Sequence, residues 1–513
     1  MAAPVTKARL QLLVAGSAVL PALLGLWGGA QPLDDALITL RYARSLAQGD
    51  GFVFNPGERV LGTTTPLFTL VLATVHGVTS LDLLGVAYVA AFTAHLGCVA
   101  TLARLGHRSG NTFVGWLAAA LYGLAPLALH PSVGCMETSL FVLTTLWALA
   151  PNQGAPLWRS GAAVAAALLR PEGALTAALH IVGVWRECPR RAGRAVAVVA
   201  VGVAPWLLFA TWYFGSPVPQ SLSAKWTLHP WQPAWLAAEN FWYLLVSLPI
   251  AGPKLGIASF VQKPFGTLIA QAVPIDAPIE LRRLGVLGVG ATVLLLAVLG
   301  AVVSYRRDRR FGPLLAFTVV YIFAYCIARP QMFPWYVVPP LPVLLLTFLT
   351  GAAVVLRAGL GRRQSAVAGT LAAALIGIAV WQSQRYLRSF PATLRVRGYR
   401  AAVAALGAAG QDRTVLIGAF EVGALGYYSQ ARILDLAGLV SPEVLPLGLT
   451  GSLERYRPDF CIGYDFGLGA AFASQYAPVA RMADYTYQGK PLVIYRRRAS
   501  AATDDGRPGN AAP

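Results

Sequence analysis

Residues 195–214 read AVAVVAVGVAPWLLFATWYF, a run of 20 residues without a single charged side chain. A helix that crosses the hydrocarbon core of a bilayer needs about 20 consecutive, predominantly apolar residues. Runs of similar length at 284–304, 336–356 and 365–384 also contain no charge. The pattern predicts a polytopic α-helical membrane protein.

The composition of the whole chain agrees with this class. Of its 513 residues, 56% are hydrophobic and 12% are charged, whereas an ordinary soluble domain has about 25% charged residues. The five cysteines are scattered singly, so they offer no disulfide framework. Soluble, disordered, collagen-like and disulfide-stabilised classes are therefore excluded.

The net charge of +19 has to be interpreted together with the membrane spans. A basic excess alone would suggest nucleic acid or an anionic surface as partner. Here most of the excess lies in Lys and Arg clusters beside predicted spans, and such clusters tend to stay cytoplasmic. The charge is thus a topology signal, and we expect membrane lipids rather than nucleic acid around the protein. The clusters lie at 7–9, 104–108, 159, 186–194, 306–310 and 357–363.

The basic clusters place the N-terminus in the cytoplasm and predict about eleven membrane helices. These are nine full spans and a two-helix hairpin at 161–185, broken at Pro171. A cleaved signal peptide is the alternative for span 10–28, but Pro21 and Trp27 stand where a small-residue cleavage site is expected. The segment 66–78 is short for a span and is expected to lie on, or dip into, the membrane. The nine spans are 10–28, 83–103, 112–130, 137–150, 195–214, 284–304, 313–328, 336–356 and 366–381.

The chain divides into a membrane domain at 1–381, an outer α/β domain at 382–498 and a disordered tail at 499–513. The outer domain is predicted from short β-type runs that alternate with helix-like and turn segments. The tail is polar and contains Pro and Gly. Two outer loops, 29–65 and 215–283, belong to the membrane domain. The β-type runs are 414–420, 432–436, 460–464 and 491–495.

Two adjacent carboxylates, Asp34 and Asp35, stand at the outer mouth of the first predicted span. Asp34 opens a helical pattern that Gly49 and Gly51 end, which predicts an amphipathic helix along the membrane surface. In this position a carboxylate can act as general base toward a lipid-linked substrate. The alternative is structural, because Asp34 could cap the helix and Asp35 could complement its dipole.

Charged side chains inside a membrane are costly and indicate function by default. Arg170 and Glu172 flank the proline of the 161–185 hairpin, and Glu137 stands at the outer start of the span 137–150. We expect these three side chains to line a cavity. Alternatively, Arg170 and Glu172 could neutralise each other in a structural cavity, and Glu137 could be a first-turn helix charge.

Two basic residues are candidates for binding a phosphate group. Arg329 follows the span 313–328, and its guanidinium can bind a phosphate through two hydrogen bonds. Lys225 stands in the outer loop 215–283. The alternatives are an interfacial Arg beside the aromatic belt of 333–336 and a solvated loop Lys.

Several well-known reactive motifs are absent from the sequence. It contains no HExxH or CxxC pair and therefore no spacing that would indicate a structural zinc site. It also contains no GxxxxGK[ST], GxGxxG or GxSxG motif. The sequence therefore supports neither a nucleotide-driven pump nor a serine hydrolase, and the substrate itself must supply the energy of any reaction. We predict no metal site and no certain cofactor, and we leave the need for a divalent cation open.

Eight short blocks together resemble the multi-spanning GT-C glycosyltransferases that use polyprenyl-phosphate sugars. Within that class they are most similar to the terminal arabinofuranosyltransferases of the AftB type and their uncharacterised bacterial relatives. The blocks run from the first loop into the outer domain. They are Asp34-Asp35-Ala36, Arg41-Tyr42, GFVFNPGERV at 51–60, Thr65-Pro66-Leu67, Met136-Glu137-Thr138, Arg170-Pro171-Glu172-Gly173, GALGYY at 423–428 and DLAGL at 435–439.

The resemblance implies an inverting sugar transfer at the outer face of the bacterial cytoplasmic membrane. The donor would be a polyprenyl-phosphate sugar, with an arabinofuranose-like pentose as one candidate, and the acceptor a cell-envelope glycan or lipid. By analogy Asp34 is the base and Asp35 a second, acceptor-orienting carboxylate. Arg329, Lys225 and Arg41 are the candidates for the donor phosphate, and Tyr42 is a further cavity-lining candidate.

A second interpretation comes from another functional class. The same cavity could bind a lipid without chemistry, in a lipid-linked saccharide transporter or in an assembly factor for envelope or motility machinery. An enzyme consumes the polyprenyl-phosphate sugar and releases the lipid phosphate, whereas a transporter tolerates loss of either first-loop carboxylate.

Overall fold

The structure is a computed structural model in which helices dominate and one small sheet lies near the C-terminus. The predicted span 10–28, residues 249–278 of the second outer loop and the tail beyond residue 499 lie outside the described residues. The described residues are 31–151, 157–228, 234–248, 279–360, 363–388, 392–464, 469–487 and 489–499.

In the described residues up to 388, all regular structure is helical. Short 3-10 helices at Arg309–Phe311 and Pro334–Tyr336 precede α13 and α14. The helices are α1 (Asp34–Ala47), α2 (Pro66–Thr79), α3 (Leu83–Arg108), α4 (Thr112–Leu124), α5 (Pro126–Val133), α6 (Thr138–Leu149), α7 (Leu157–Leu169), α8 (Gly173–Glu187), α9 (Pro189–Phe214), α10 (Gln220–Leu228), α11 (Ala234–Ser247), α12 (Ile279–Arg307), α13 (Gly312–Ala328), α14 (Leu341–Leu360) and α15 (Gln364–Arg388).

Six helices in the described part of the chain are long and apolar enough to cross a membrane, and the pair α4 and α5, bent by 52°, would make a seventh. Large apolar side chains on these helices face outward: Val201, Trp212 and Ile327 are 73%, 77% and 78% exposed. Such surface is unfavourable in water and normal against lipid. The chain is therefore a multi-pass membrane protein, and the total of about eleven membrane helices stays a prediction.

The hairpin predicted at 161–185 is confirmed as two helices. Helix α7 ends at Leu169 and α8 begins at Gly173, so the break falls at Pro171. A Cβ atom on Gly173 would stand 2.0 Å from the backbone oxygen of Ala166, so only glycine fits this tight turn. The predicted surface segment 66–78 is helix α2, whose 14 residues are too few to cross a bilayer.

Two glycines allow helices α12 and α14 to pack closely. A Cβ on Gly300 would stand 1.9 Å from the Thr347 oxygen, and one on Gly351 would stand 1.9 Å from the Leu296 oxygen. Small residues at a crossing let the two backbones approach, which is how helices gain van der Waals contact in a membrane. This crossing joins α12, the helix that follows the second outer loop, to α14.

The outer domain is a five-stranded mixed sheet with the strand order β2-β1-β3-β5-β4. Strand β1 runs parallel to β2 and β3, whereas β5 runs antiparallel to β3 and β4. Its elements are α16 (Ala392–Leu406), β1 (Leu416–Ala419), α17 (Gly423–Tyr428), β2 (Arg432–Asp435), α18 (Gly448–Tyr456), β3 (Phe460–Tyr464), α19 (Ala470–Gln475), β4 (Tyr476–Tyr487) and β5 (Lys490–Arg497).

The four predicted β-type runs are confirmed as β1, β2, β3 and β5. No β-type run predicted β4, which carries Pro478 and Ala477 and, among the described strands, pairs with β5 alone at the edge of the sheet. An edge strand tolerates proline and needs no regular apolar alternation. Helix α15 continues to Arg388, past the predicted start of the outer domain at 382.

Candidate functional site

The outer helix α1 places its first two residues in different surroundings. Leu33 is the N-cap residue, and it makes no side-chain capping bond, so neither aspartate caps its own helix. The carboxylate of Asp34 instead accepts the backbone N–H groups of Gly423 (2.9 Å) and Ala424 (2.7 Å). These are the first amides of α17, so Asp34 caps a helix of the outer domain. Burial raises the pKa of Asp34, and the two N–H groups act against this shift.

Asp35, the next residue, borders a pocket between the outer helix, the membrane helices and the outer domain. The pocket collects charged groups from distant parts of the chain, which is unusual for a surface depression. Its lining residues are Asp35, Ile38, Thr39, Gly62, Thr63, Thr64, Thr65, Met136, Glu137, Arg170, Ser221, Leu222, Lys225, Trp335, Tyr336 and Leu439.

Lys225 enters this pocket from α10. Its ammonium group donates to the hydroxyl of Tyr336 (3.3 Å) and lies 5.0 Å from the centre of the Phe333 ring. Burial acts to lower the pKa of Lys225, but Tyr336 and the carboxylate of Asp35 outweigh this effect and raise it. The group is therefore a protonated cation that interacts with Asp35 across the pocket.

Arg170 links Glu137 and Glu172 beside the pocket. It donates to Glu137 (2.7 Å) and to Glu172 (2.8 Å), and Tyr325 donates to Glu172 as well. Arg170 and Glu137 are almost completely buried. Buried charges persist only when they are paired and hydrogen-bonded, and this network meets that requirement. The predicted cavity residues Glu137, Arg170 and Glu172 thus form one connected group, of which Glu137 and Arg170 line the pocket.

The structure places Arg41 away from the pocket lining. Its guanidinium is buried and donates to the backbone oxygens of Phe54 (2.9 Å), Gly426 (2.8 Å) and Ser429 (2.8 Å). Arg44 donates to the same end of α17. Arginine at a helix C-terminus satisfies carbonyls that have no partner within the helix. The donor-phosphate prediction for Arg41 therefore does not match its position, because its donors bind backbone oxygens.

Asn55 completes the attachment of the outer domain. Its side-chain amide exchanges two hydrogen bonds with the backbone of Ile433 in β2, at 2.9 and 3.0 Å. We name Asp34, Arg41, Arg44 and Asn55 the docking clamp. The clamp holds both ends of α17 and the edge of β2 against the first outer loop.

Tyr42 lies outside the pocket lining and contacts the loop that contributes Gly62 to it. Its side chain is fully buried, and its hydroxyl donates to the Val60 oxygen (2.6 Å) and accepts the N–H of Gly62 (2.9 Å). A Cβ on Gly62 would stand 2.5 Å from Val440 of the outer domain, so this loop and the domain are in direct contact. Tyr42 therefore positions Gly62, which lines the pocket, and is not itself in the lining.

Arg329 stands apart from the pocket. It ends helix α13 with a left-handed backbone conformation (φ 48°) and is exposed. The pocket lining contains Trp335 and Tyr336 from the segment that follows it, but not Arg329. The exposed position agrees with the alternative of an interfacial arginine beside the aromatic belt.

Several pocket residues had no role in the sequence-based prediction. The hydroxyls of Thr39, Thr63 and Thr65 form a triangle with distances of 3.0 to 3.3 Å. Thr63 and Thr65 belong to the Thr-rich end of the first outer loop, which is the signal that could have indicated them. The aromatic run 333–336 predicts an interfacial belt position for Tyr336, whereas the structure places Tyr336 in the pocket lining in contact with Lys225.

A protein-bound metal ion requires several donor side chains close together. In the described ranges, no group of three or more His, Cys, Asp and Glu side chains stands together as a metal site would require. Beside Asp35, the carboxylate of Glu137 is already bound by Arg170. The absence of a metal site stays a prediction.

Sequence comparisons match two parts of the chain. Residues 392–498 match a family model described as Domain of unknown function (DUF8728). The terminal beta-(1->2)-arabinofuranosyltransferase of Mycobacterium tuberculosis is 29% identical over 228 residues, which cover 39% of this chain and 36% of that protein. The chain thus spans about a third of the length of this curated relative.

Solved structures are similar over nearly the whole chain. ArnT from Cupriavidus metallidurans bound to undecaprenyl phosphate has a TM-score of 0.52 at 14% identity, covering 98% of this chain and 100% of that one. The Archaeoglobus fulgidus oligosaccharyltransferase in complex with Zn and sulfate has a TM-score of 0.54 at 11% identity, covering 95% and 73%. Both are GT-C proteins, so the resemblance seen in the sequence is confirmed for the fold: the chain has the GT-C membrane fold.

Proposed function

We propose that the protein is an inverting glycosyltransferase that moves a sugar from a polyprenyl-phosphate carrier to a cell-envelope glycan or lipid. One observation carries the proposal: Asp35 and Lys225 border the same pocket and interact electrostatically. A carboxylate and a cation are the two groups that such a transfer needs. The likeness to ArnT, whose structure holds undecaprenyl phosphate, supports a polyprenyl-phosphate donor.

In the proposed reaction Asp35 is the general base. It takes the proton of the acceptor hydroxyl, whose oxygen forms a bond to the anomeric carbon of the donor sugar. The bond between that carbon and the phosphate oxygen breaks, and polyprenyl phosphate leaves with the electron pair. Attack from the face opposite the leaving group inverts the anomeric centre. The carboxylate takes up the proton and returns it to solvent through the pocket.

The base role therefore passes from Asp34 to Asp35. Both oxygens of Asp34 accept N–H groups of α17, and protonating this carboxylate would weaken the hydrogen bonds by which Asp34 docks the outer domain. Asp35 has no such structural bond among the described contacts and borders the pocket. Asp34 is in this proposal a positioning residue, since it fixes the start of α1 and with it the neighbouring base.

Lys225 is the proposed partner of the departing phosphate. Its ammonium group has one neutral hydrogen-bond partner, Tyr336, among the described contacts, so its charge can interact with an anion that enters the pocket. Arg170 is less suited, because Glu137 and Glu172 already balance its charge. A fixed cation in a pocket shielded from water stabilises developing negative charge without reorganisation.

One helix, α9, connects an arginine cluster to the pocket. Helix α9 carries Arg190, Arg191 and Arg194 near its start and ends at Phe214, only six residues before the helix that carries Lys225. Its 26 residues span about 39 Å, which exceeds the hydrocarbon thickness of a bilayer. By the positive-inside rule the arginines are cytoplasmic, and we propose that the pocket and the outer domain face the periplasmic side of the bacterial cytoplasmic membrane.

The curated relative supports one candidate for the donor sugar. Its name describes arabinofuranosyl transfer, and the match at 29% identity makes a furanose pentose the first candidate for the donor. A pocket with four threonines in its lining suits the hydroxyl groups of a saccharide.

The test uses the full-length protein in lipid nanodiscs with polyprenyl-phosphate arabinofuranose and an arabinan oligosaccharide. We expect release of polyprenyl phosphate, extension of the oligosaccharide by one residue and inversion of the anomeric configuration in the NMR spectrum of the product. Glu443→Gln, on the outer domain, serves as a matched carboxylate control and is expected to leave the rate unchanged.

Two results would contradict the proposal. Retention of the anomeric configuration would exclude direct displacement by the acceptor. Binding of polyprenyl-phosphate sugars of several kinds without consumption of any donor would favour the alternative of a lipid-linked saccharide transporter or an assembly factor.

A further inference from the structure

One wall of the pocket comes from the outer domain, through the loop 436–440 that follows β2. Leu439 lines the pocket together with Asp35 and Gly62. Val440 is buried in an apolar core and half-buried Leu436 packs against another, whereas half-buried Leu439 lies in the pocket lining. The loop thus presents an apolar side chain to a pocket whose lining combines hydroxyls and charges with the apolar side chains of Ile38, Met136, Leu222 and Trp335.

The loop is held in place from within the outer domain and from the membrane domain. The buried carboxylate of Asp435 accepts the N–H groups of Ala437 (2.8 Å) and Val440 (2.9 Å). From the other side, the amide of Gln220 donates to the Gly438 oxygen (3.3 Å), and the Gln220 backbone N–H donates to Leu61 (2.8 Å). Since Gln220 begins the helix that carries Lys225, the position of Leu439 is coupled to that cation.

The docking clamp couples the same loop to the base. Asp34 binds α17 through two backbone amides, and Asn55 binds the strand that leads into the loop. Asp35 directly follows Asp34 in α1. Leu439, Asp35 and Lys225 therefore keep a fixed mutual arrangement, although they come from three distant parts of the sequence. A side chain that is fixed relative to reacting groups can discriminate between substrates.

The geometry points to Leu439 as a specificity-determining residue that contacts a saccharide ring beside Asp35. This inference rests on the proposed function. An aliphatic side chain offers apolar surface to the C–H face of a sugar ring, and its volume limits which ring substituents fit. The donor sugar and the terminal sugar of the acceptor share this chemistry, so the experiment treats them in separate arms.

The experiment measures kcat/KM for wild type, Leu439→Ala, Leu439→Val and Leu439→Phe in nanodiscs. In the first arm the acceptor is constant, and undecaprenyl-phosphate arabinofuranose is compared with undecaprenyl-phosphate glucose. In the second arm the donor is constant, and an arabinan acceptor is compared with a glucan acceptor. Leu447→Ala is the matched control, because Leu447 lies in the same domain with 37% of its surface exposed and is not in the pocket lining.

We expect Leu439→Ala to change the pentose-to-hexose ratio of kcat/KM by about 10-fold in one arm, since apolar pocket contacts discriminate on this scale. Leu439→Phe should change the same ratio in the opposite direction, and Leu439→Val should give a smaller shift. The arm in which the ratio changes identifies the saccharide that is contacted.

Ratios within twofold of wild type in both arms, as expected for Leu447→Ala, would overturn the inference and leave the proposed function intact. If wild type transfers no sugar from either donor to either acceptor, the proposed function fails and the inference fails with it. Thermal unfolding of each variant shows whether it is folded, and Leu439→Val, which removes one methylene, keeps the test decisive if the larger changes unfold the protein.

Discussion

Asp34 and Asp35 are adjacent in the sequence, but their carboxylates serve different parts of the molecule. Asp34 accepts two backbone N–H groups at the start of α17, which lie 389 and 390 residues further along the chain. Asp35 borders the pocket that contains Lys225. The first helical turn of α1 therefore joins the docking of the outer domain to the proposed chemistry.

Exchanging either aspartate for asparagine should separate these two roles. We expect Asp35→Asn to lower kcat by about 10²- to 10⁴-fold with an unchanged Tm, because a general base contributes on that scale. Asp34→Asn should lower the Tm and reduce kcat less, because the amide can accept N–H groups through only one atom. Steady-state kinetics and thermal unfolding of both variants check this. An inactive Asp34→Asn variant with wild-type Tm would return the base role to Asp34.

Lys225 and Arg329 provide a second pair for comparison. Lys225→Ala should lower kcat by about 10²-fold, as loss of a group that stabilises transition-state charge does, and should weaken inhibition by undecaprenyl phosphate. Arg329→Ala should change kcat and the inhibition constant of undecaprenyl phosphate by less than twofold, because Arg329 is exposed and outside the pocket lining. A larger effect of Arg329→Ala on inhibition would favour Arg329 as the phosphate-binding residue.

The docking clamp can be tested with two glycine variants. A Cβ on Gly423 would stand 1.9 Å from the backbone oxygen of Asp34, whereas one on Gly463 would meet nothing within 4 Å. Gly423→Ala should therefore lower the free energy of unfolding by roughly 1–3 kcal/mol and expose the outer domain to protease. Gly463→Ala is the control and should behave like wild type. Equal protease sensitivity of the two variants would show that α17 is not held against α1.

The buried carboxylate of Asp435 predicts a pH dependence of stability. Burial raises its pKa from 3.8 to about 6, despite the N–H groups that it accepts. The folded state thus binds the proton of Asp435 more tightly than the unfolded state does. The contribution of Asp435 to the free energy of unfolding is therefore greatest below pH 3.8 and falls as the pH rises to about 6. The decrease amounts to roughly 3 kcal/mol for this group alone.

Thermal unfolding from pH 4 to pH 7 checks the prediction by comparing wild type with Asp435→Asn. The amide does not titrate, so the variant should lose this part of the slope between pH 4 and 6. Identical slopes in the two proteins would show that Asp435 does not titrate in this range.

The network around Arg170 predicts a large difference between two arginine variants. Arg170→Ala leaves Glu137 and Glu172 as neighbouring carboxylates with little access to water, and loss of one partner of a buried pair costs roughly 3–5 kcal/mol. Arg310→Ala removes a partly exposed pair with Asp308, which is worth at most about 1 kcal/mol. The Tm values of the two variants check this order. A Tm of Arg170→Ala close to that of Arg310→Ala would contradict it.

The candidate site was predictable from the sequence only in part. The signals for Glu137, Arg170 and Glu172 were local, because a charge within an apolar run needs a partner nearby. The placement of Arg41 could not be predicted in the same way. Its partners are backbone oxygens at 426 and 429, which no motif around residue 41 indicates.

The sequence by itself determined the membrane class, the hairpin break at Pro171 and four of the five strands of the outer domain. These features depend on hydrophobicity, proline and β-propensity within about 20 residues, which are local properties of the chain. The tertiary structure alone decided that Asp35 rather than Asp34 faces the pocket, that Lys225 rather than Arg329 borders it, and that Leu439 completes its wall. Such choices depend on contacts between residues up to 390 positions apart, and a local pattern carries no information about them.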